Sequence, residues 1–573
     1  MSSVFIKPPR LVKYILFVFS VFSFPAGFAA SADVGDLSRQ IEGQISRQRA
    51  PEPGYNTNNK SINFFIEQPE KTPVPKMVED VQLLIKGVRV TGGTYFSDAF
   101  INSFFSPLLN KSVSLSELRN ASEELEKAYR EKGFFLTRVF LPPQQVVDKI
   151  IEIKIVEGFI SEAFVSGGAE ITRTRIEAFL VPLTKKRPID LATLEEALLK
   201  INDFPGTVAT GVLRRGVTLG ASELVVTIDQ IPDIENISLT SYAPKSIGPY
   251  TLSYSSFINN LTGNGEQISL NVSASPDMYS FKTTGLTYSE PIGSTGLIFS
   301  LGGIVSEARP GASLKPLKLI SDSESVTPKV RYALSRSRTN SLYLEGGLAF
   351  NHNITLLAGK YLTFDQTSVV DTNLIWNERD RLGFSNSNFR VSRGLPFLTT
   401  MPSNAPLAST VGFNPSFTKL SYNLQRTQFL SKQWSLNGLI AGQYTPNTLL
   451  TSEDISFGGA QIGRGYDTGQ IAGDRGNGGM LELRYDSVYH SSFLKTAPQL
   501  FGFVDAAYVD TLANPVSNSI GTVKNLSSSG FGVRLNFQMK ASLELLVAQA
   551  NKVYPNLDLR SNPRFLLNAS IQF

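Results

Sequence analysis

The 573-residue sequence contains no cysteine and only two histidines, His352 and His490. Disulfides, zinc–thiolate sites and thiol nucleophiles are therefore excluded together. Two imidazoles 138 positions apart provide no metal cluster, and neither metal nor cofactor is expected. Charge is scarce as well: Asp, Glu, Lys and Arg make up 18% of the chain, against about 25% in ordinary soluble proteins. Of the formal charge of +5, three units come from Lys7, Arg10 and Lys13, which leaves +2 on the rest. That balance is too close to neutral for binding nucleic acid through its phosphates. There is no Gly-x-Ser-x-Gly motif, no Ser/His/acid set and no phosphate-binding loop, so no catalytic residue is expected. After residue 32 there is no run of 18 apolar residues. If the mature chain crosses a membrane, it does so as a β-barrel.

What the sequence does hold begins with an export signal. In residues 1–32 the basic start precedes an apolar core, Tyr14 to Phe24, and small residues from Ala26 to Ala32 offer cleavage after Ala29 or Ala32. Residues 33–49 carry Leu37, Ile41 and Ile45 at a spacing of four among polar neighbours. So thin a stripe is too narrow for a core helix; it suits a helix in a wet, polar tunnel and equally a frayed tail. Residues 50–77 hold five prolines and read as an extended linker without a core pattern.

A weak repeat of two α/β units follows, at 78–157 and 158–231. The first opens with an alternating strand, Val81 to Val90. Ser114-Leu-Ser-Glu117 is a capping box for a helix that buries Leu115, Leu118, Leu125 and Ala128 and ends at Gly133. Strands at 134–141 and 148–157 close the unit; Leu83, Ile85, Phe134 and Phe140 read as core. The second unit runs from a strand at 163–167 to a helix capped by Asp190, with Leu191, Leu194, Leu198 and Ile201, and ends in strands near 208–214 and 223–229.

From residue 232 the helical period gives way to period two. Leu481, Leu483 and Tyr485 alternate with Glu482, Arg484 and Asp486; Val533 to Lys540 alternates throughout. Ile268 to Ala274 and Trp434 to Tyr444 behave alike. The last segment sets Phe565, Leu567, Ala569, Ile571 and the terminal Phe573 on one face. Soluble sandwiches also alternate, but the export signal, low charge and terminal Phe together favour a membrane barrel. The 342 residues from 232 to 573 accommodate about 16 strands with their connections. The fold class is thus mainly β, a 16-stranded transmembrane β-barrel preceded by two α/β domains.

Three further motifs stand on this architecture: Arg187 to Gly206 followed by Gly220 to Val226, Phe457-Gly-Gly-Ala-Gln-Ile-Gly-Arg-Gly-Tyr466, and Gly473-Asp-Arg-Gly476. In this order the chain resembles the TpsB transporters of two-partner secretion, members of the superfamily of outer-membrane assembly barrels with POTRA domains. The resemblance covers the whole mature chain. It implies two POTRA domains in the periplasm and residues 33–49 as a plug helix resting in the pore through Leu37, Ile41 and Ile45. It also implies a monomeric barrel in outer-membrane lipid, and a large secreted exoprotein of TpsA type as the partner, held by the POTRA domains and exported without ATP. The neighbouring reading is a general outer-membrane protein assembly insertase, a class that usually carries three or more POTRA modules. In such barrels an inward loop carries an Arg-Gly-aromatic tip, usually after Val or Ile, whose Arg pairs with an acid on the inner wall. Arg464, Gly465 and Tyr466 match the tip, Gly463 departs from it, and Asp505 in Gly502-Phe-Val-Asp505 matches the acid.

Overall fold

The computed structural model describes residues 64–66, 82–398, 401–489, 492–538, 540–552 and 563–573. The expected signal peptide (1–32), plug helix (33–49) and most of the linker (50–77) lie outside them. Within the linker, Phe64–Ile66 is a strand, paired parallel to Thr207–Arg215 through Phe64↔Gly211 and Ile66↔Leu213. This strand is the paired segment of the expected extended linker among the described residues. Three apolar residues between prolines are too short a run to register as a strand, yet they suffice to cover a free sheet edge.

In the first α/β module the segment 82–91 breaks at Lys86 into two strands. Gln82–Ile85 pairs with Lys111–Ser114, while Gly87–Thr91 joins a sheet with Ile150–Val156 and Arg138–Phe140. The helix Leu115–Glu131 starts at the capping box: the Ser114 amide donates to Glu117 Oε2 at 2.7 Å, and the Glu117 amide donates to Ser114 Oγ at 3.2 Å. Gly133, at φ +92°, follows its last turn. Leu118, Leu125 and Tyr129 are fully buried against Ile151, Ile153 and Ile155. Tyr129 takes the place at the core that the sequence pattern gave to Ala128. Phe140, on an edge strand, is exposed.

The Ser114 amide and hydroxyl hold the Glu117 carboxyl below its usual range. A group lowered on folding contributes stability above its unfolded pKa, about 4.3 for Glu, and that contribution is lost as pH falls through the lower folded value. Protection against hydrogen exchange at the first turn of this helix, relative to the free-peptide rate at the same pH, is therefore expected to fall below about pH 4. Ser114→Ala is expected to weaken the same turn by about 1 kcal/mol at neutral pH. Unchanged protection in both cases would remove the cap from the account.

The second module repeats the plan. The helix Leu191–Asn202 is capped by Asp190, whose carboxylate accepts the Thr193 amide at 2.8 Å. Leu194, Leu198 and Ile201 pack with Ile176 and Leu180 of the helix Glu170–Lys185 over a four-stranded sheet.

Sixteen strands then pair antiparallel, each with the next, from Ile234–Thr240 to Arg564–Gln572, and these two close the barrel through Asn236↔Gln572 to Thr240↔Asn568. The alternation sorts residues as period two requires. In Gln499–Thr511, Leu500, Val504 and Tyr508 point outward and Phe501, Phe503, Asp505 and Ala507 inward. Leu481 and Leu483 face out while Glu482 is fully buried inside. The strand read through Lys540 ends at Asn536, where the chain turns. Both tryptophans, Trp376 and Trp434, sit outward near the end that carries the α/β modules. The hairpin turns at that end meet the second module: Thr172 Oγ1 donates to Gly263 O at 2.8 Å and Arg175 Nη1 to Asn264 O at 2.7 Å.

Candidate functional site

The connection between the strands Trp434–Tyr444 and Arg475–Asp486 does not stay outside the barrel. Its two arms pair as a short hairpin, Ile455–Phe457 with Ile471–Gly473. The tip between them packs on the inner wall, where Phe457, Ile462, Tyr466 and Ile471 bury against Leu439, Met480, Val509 and Leu526.

Two glycines shape this tip. Gly463 has φ +90°, and a Cβ there would lie 2.9 Å from Gly458 Cα and 3.0 Å from Leu526 Cδ1. The branched residue common in the resembling barrels does not fit this backbone, so the departure at position 463 has a steric cause. Gly465 is needed for closeness: a Cβ would meet Ala550 N at 2.7 Å and Ser528 Cβ at 2.8 Å. Gly463→Val is expected to cost about 1–3 kcal/mol of backbone strain and to lift the tip from the wall. Faster proteolysis within 458–470 in intact outer membranes would report it; unchanged cleavage would count against the fit.

The structure places Arg464 inside, 6% exposed, with its guanidinium 4.3 Å over the Phe503 ring. Arg464 Nη1 donates to Glu482 Oε2 at 2.6 Å and Nε to Ala460 O at 3.2 Å. The expected ion pair with Asp505 is thus corrected: the guanidinium pairs with Glu482, and Asp505 accepts the Arg464 main-chain amide at 3.3 Å and the Ser528 hydroxyl at 2.5 Å. Register explains it. Asp505 lies opposite Met480, and Glu482 lies opposite Phe503, two residues deeper toward the modules, about 7 Å along the strand. With the loop backbone already at the level of Asp505, the long arginine side chain reaches the next inward level.

Glu482, with no exposed surface, also accepts Arg484 Nε at 2.7 Å and Arg534 Nη1 at 2.8 Å. Arg534 in turn pairs with Glu544, which accepts the Tyr242 hydroxyl at 3.0 Å. Arg464, Arg484 and Arg534 thus share Glu482 and Glu544, and with Asp505 beside them the cluster sets three basic groups against three acidic ones. The Tyr466 hydroxyl reaches Ser527 O at 3.0 Å and Lys552 O at 2.9 Å as donor, and accepts the Lys552 amide at 3.0 Å. The Gly465 amide donates to Ser528 Oγ at 3.0 Å. Arg464, Gly465, Tyr466 and Asp505 therefore meet in one site; Glu482, Arg534 and Ser528 were missed as members. Their signal was present as charged or hydroxyl residues at inward positions of alternating strands. Leu37, Ile41 and Ile45 lie outside the described residues.

The loop thus lies inside the barrel and is held to its inner wall by packing and polar contacts. The family model of haemolysin secretion/activation proteins ShlB/FhaC/HecB matches residues 220–535, and that of the ShlB-type POTRA domain matches residues 83–158. The chain is 23% identical over 548 residues to the heme/hemopexin transporter protein HuxB of Haemophilus influenzae (strain 86-028NP), covering 94% of each. It is 26% identical over 569 residues to the hemolysin transporter protein HpmB of Proteus mirabilis, covering 94% of this chain and 95% of that one. The solved structure of CdiB from Escherichia coli superposes with a TM-score of 0.69 at 16% identity, over 96% of this chain and 100% of that chain. With more than half of its length matched by that family model, the chain belongs to the ShlB/FhaC/HecB family of haemolysin secretion/activation proteins.

Proposed function

We propose that this protein is the outer-membrane pore of a two-partner secretion pair, which takes one large exoprotein from the periplasm and passes it unfolded to the cell surface. The observation that carries the reading is the loop 445–474 folded into a 16-stranded barrel and held there by a neutral polar cluster. Family membership favours export of a dedicated client over general barrel assembly. The protein acts as a transporter and not as an enzyme, as family membership favours.

The α/β modules are POTRA domains in the periplasm, and the outward-facing apolar band of a monomeric barrel lies in outer-membrane lipid. Client strands add to POTRA sheet edges, where main-chain hydrogen bonds give affinity without demanding one sequence. The edge strand Arg138–Phe140 pairs on one side only among the described residues and presents exposed Phe140. In the second module the edge of Thr207–Arg215 carries the chain's own Phe64–Ile66. Residues 33–49 plug the pore. Their deletion is expected to raise single-channel conductance in planar bilayers severalfold, and unchanged conductance would remove the plug.

Co-expression with the adjacent large exoprotein tests the function. Client is expected in the medium only when this protein is present. Equal export in its absence, with other barrels assembling poorly, would turn the reading to an insertase.

A further inference from the structure

The barrel interior is divided unequally. On the wall formed by Arg475–Asp486, Gln499–Thr511 and Ala541–Ala550 the interior is filled: Met480, Glu482, Phe501, Phe503, Ala507 and Leu546 are each at most 6% exposed, with the loop tip packed on Met480 and Ala507 and Arg464 over Phe503. Among the described residues the opposite wall is open. There a cavity of about 390 Å³ lies between the loop's root and the strands from Asn340–Leu357 to Thr418–Phe429; Asn351, Asp371, Asn388, Arg390, Lys419 and Glu453 line it. Asn423, directly across the strand pair from Asn388, is exposed although it points inward.

We infer that the client threads along this side of the lumen only, as an extended polypeptide on the inner wall of Gly383–Gly394 and Thr418–Phe429. This rests on the export reading above. An unfolded chain brings one donor and one acceptor per peptide, all of which lose water in a narrow passage. Amide and hydroxyl side chains, which donate and accept, replace that water without preference for sequence. The charges on this wall are already paired, Asp371 with Arg390 at 3.6 Å and Glu453 with Lys419 at 2.8 Å. A moving client of either sign therefore meets no unbalanced field in which to stall; passage needs binding weak enough to leave.

The loop's root bounds the cavity on the outer side. Glu453 Oε1 accepts from Asn351 Nδ2 and Thr367 Oγ1, each at 3.4 Å, and the Glu453 carbonyl accepts Gln443 Nε2 at 2.9 Å. With the Lys419 ion pair, these contacts reach four strands from a single turn. Displacing that turn lengthens the cavity into a channel without disturbing the filled wall.

The absence of native cysteine makes the test direct. Asn388→Cys and Asn423→Cys stand on the proposed track, Asn568→Cys and Ser570→Cys on the inner face of the last strand. Each is co-expressed in the full chain with a client carrying one cysteine and a tightly folded C-terminal domain that stalls transit. Disulfide-linked complex is expected at least tenfold more from the first pair than from the second. Equal or reversed yields would overturn a one-sided track. Complex at none of the four, with the unstalled client still secreted, would instead tell against transit through the lumen and so against the function. As a second measurement, Asn388→Trp is expected to lower secretion tenfold and Asn568→Trp less than twofold; the opposite order overturns the track.

Discussion

Arg464→Ala is expected to lower client in the medium at least tenfold while the barrel still folds and inserts, as judged by heat-modifiable migration. The truncation removes three contacts at once: the ion pair to Glu482, the hydrogen bond to Ala460 O, and the stacking over Phe503. Breaking a buried pair costs about 3–5 kcal/mol, and here the lower end applies because Arg484 and Arg534 still neutralise Glu482. Even that suffices to loosen a loop whose tip is otherwise held by packing, by the Arg464 and Gly465 amides on Asp505 and Ser528, and by the Tyr466 hydroxyl. Arg464→Lys is expected to fall between, since an ammonium cannot serve Glu482 and Ala460 together. The partner assignment makes a sharper demand. Glu482→Gln removes the charge that three arginines share, and is expected to match or exceed the loss from Arg464→Ala. Asp505→Asn keeps an oxygen for the Arg464 amide and is expected to be milder. Exchanging charges between positions 464 and 505 is expected to recover nothing. Normal secretion by Arg464→Ala, or an Asp505→Asn loss deeper than that of Glu482→Gln, would sink the arrangement.

The sequence and the structure part company at the ion pair for a physical reason. Which residues face inward follows from parity along a strand, and parity is visible in the pattern Leu481, Glu482, Leu483, Arg484. Which inward carboxylate meets Arg464 depends on how deep a 30-residue connection descends, and no local periodicity encodes depth. The same division runs through the chain. Ser114 with Glu117 and Asp190 with Thr193 are contacts within one turn, and both were legible. The break at Lys86, where one alternating run feeds two sheets, and the pairing of Phe64–Ile66 with a strand about 150 residues later depend on distant partners. Tyr129 escaped notice because aromatic residues at helix ends serve cores and surfaces alike, and its burial is decided by the neighbouring Phe96 and Phe134 rings. Phe140 is the reverse case, an apolar residue in an alternating strand that stays exposed because no described element covers that edge.

Asp203→Ala is expected to free the second α/β module from the barrel without harming the module itself. Asp203 stands at the C-terminal cap of the helix Leu191–Asn202, where a negative charge opposes the helix dipole and is unfavourable by a few tenths of a kcal/mol or more. Its value lies across the domain boundary. Both carboxylate oxygens accept Arg336 Nε, at 3.2 and 3.1 Å, and Oδ2 also accepts the Tyr343 hydroxyl at 3.1 Å. The two side chains of the ion pair are only 10% and 15% exposed, so the alanine strands a guanidinium and a hydroxyl, a loss of about 3 kcal/mol or more. The nearby Arg338–Glu195 pair is half exposed at the arginine and contributes at most about 1 kcal/mol. Thr172 and Arg175 on the turn at 263–264, and Gln230 Nε2 on Asn259 O at 2.6 Å, lie on a different hairpin and leave a pivot, while Lys200 over the Tyr332 ring at 5.5 Å adds only a loose contact on this one. Distances between spin labels on cysteines introduced in the second module and in the turn at 337–339 are therefore expected to broaden, and secretion to fall severalfold. Amide exchange within 191–202 is expected to stay level or slow slightly, because the unfavourable charge at the helix end is gone. Faster exchange there with unchanged distances would place Asp203 in the fold of its own domain, and the clamp would have to be sought at the other hairpin.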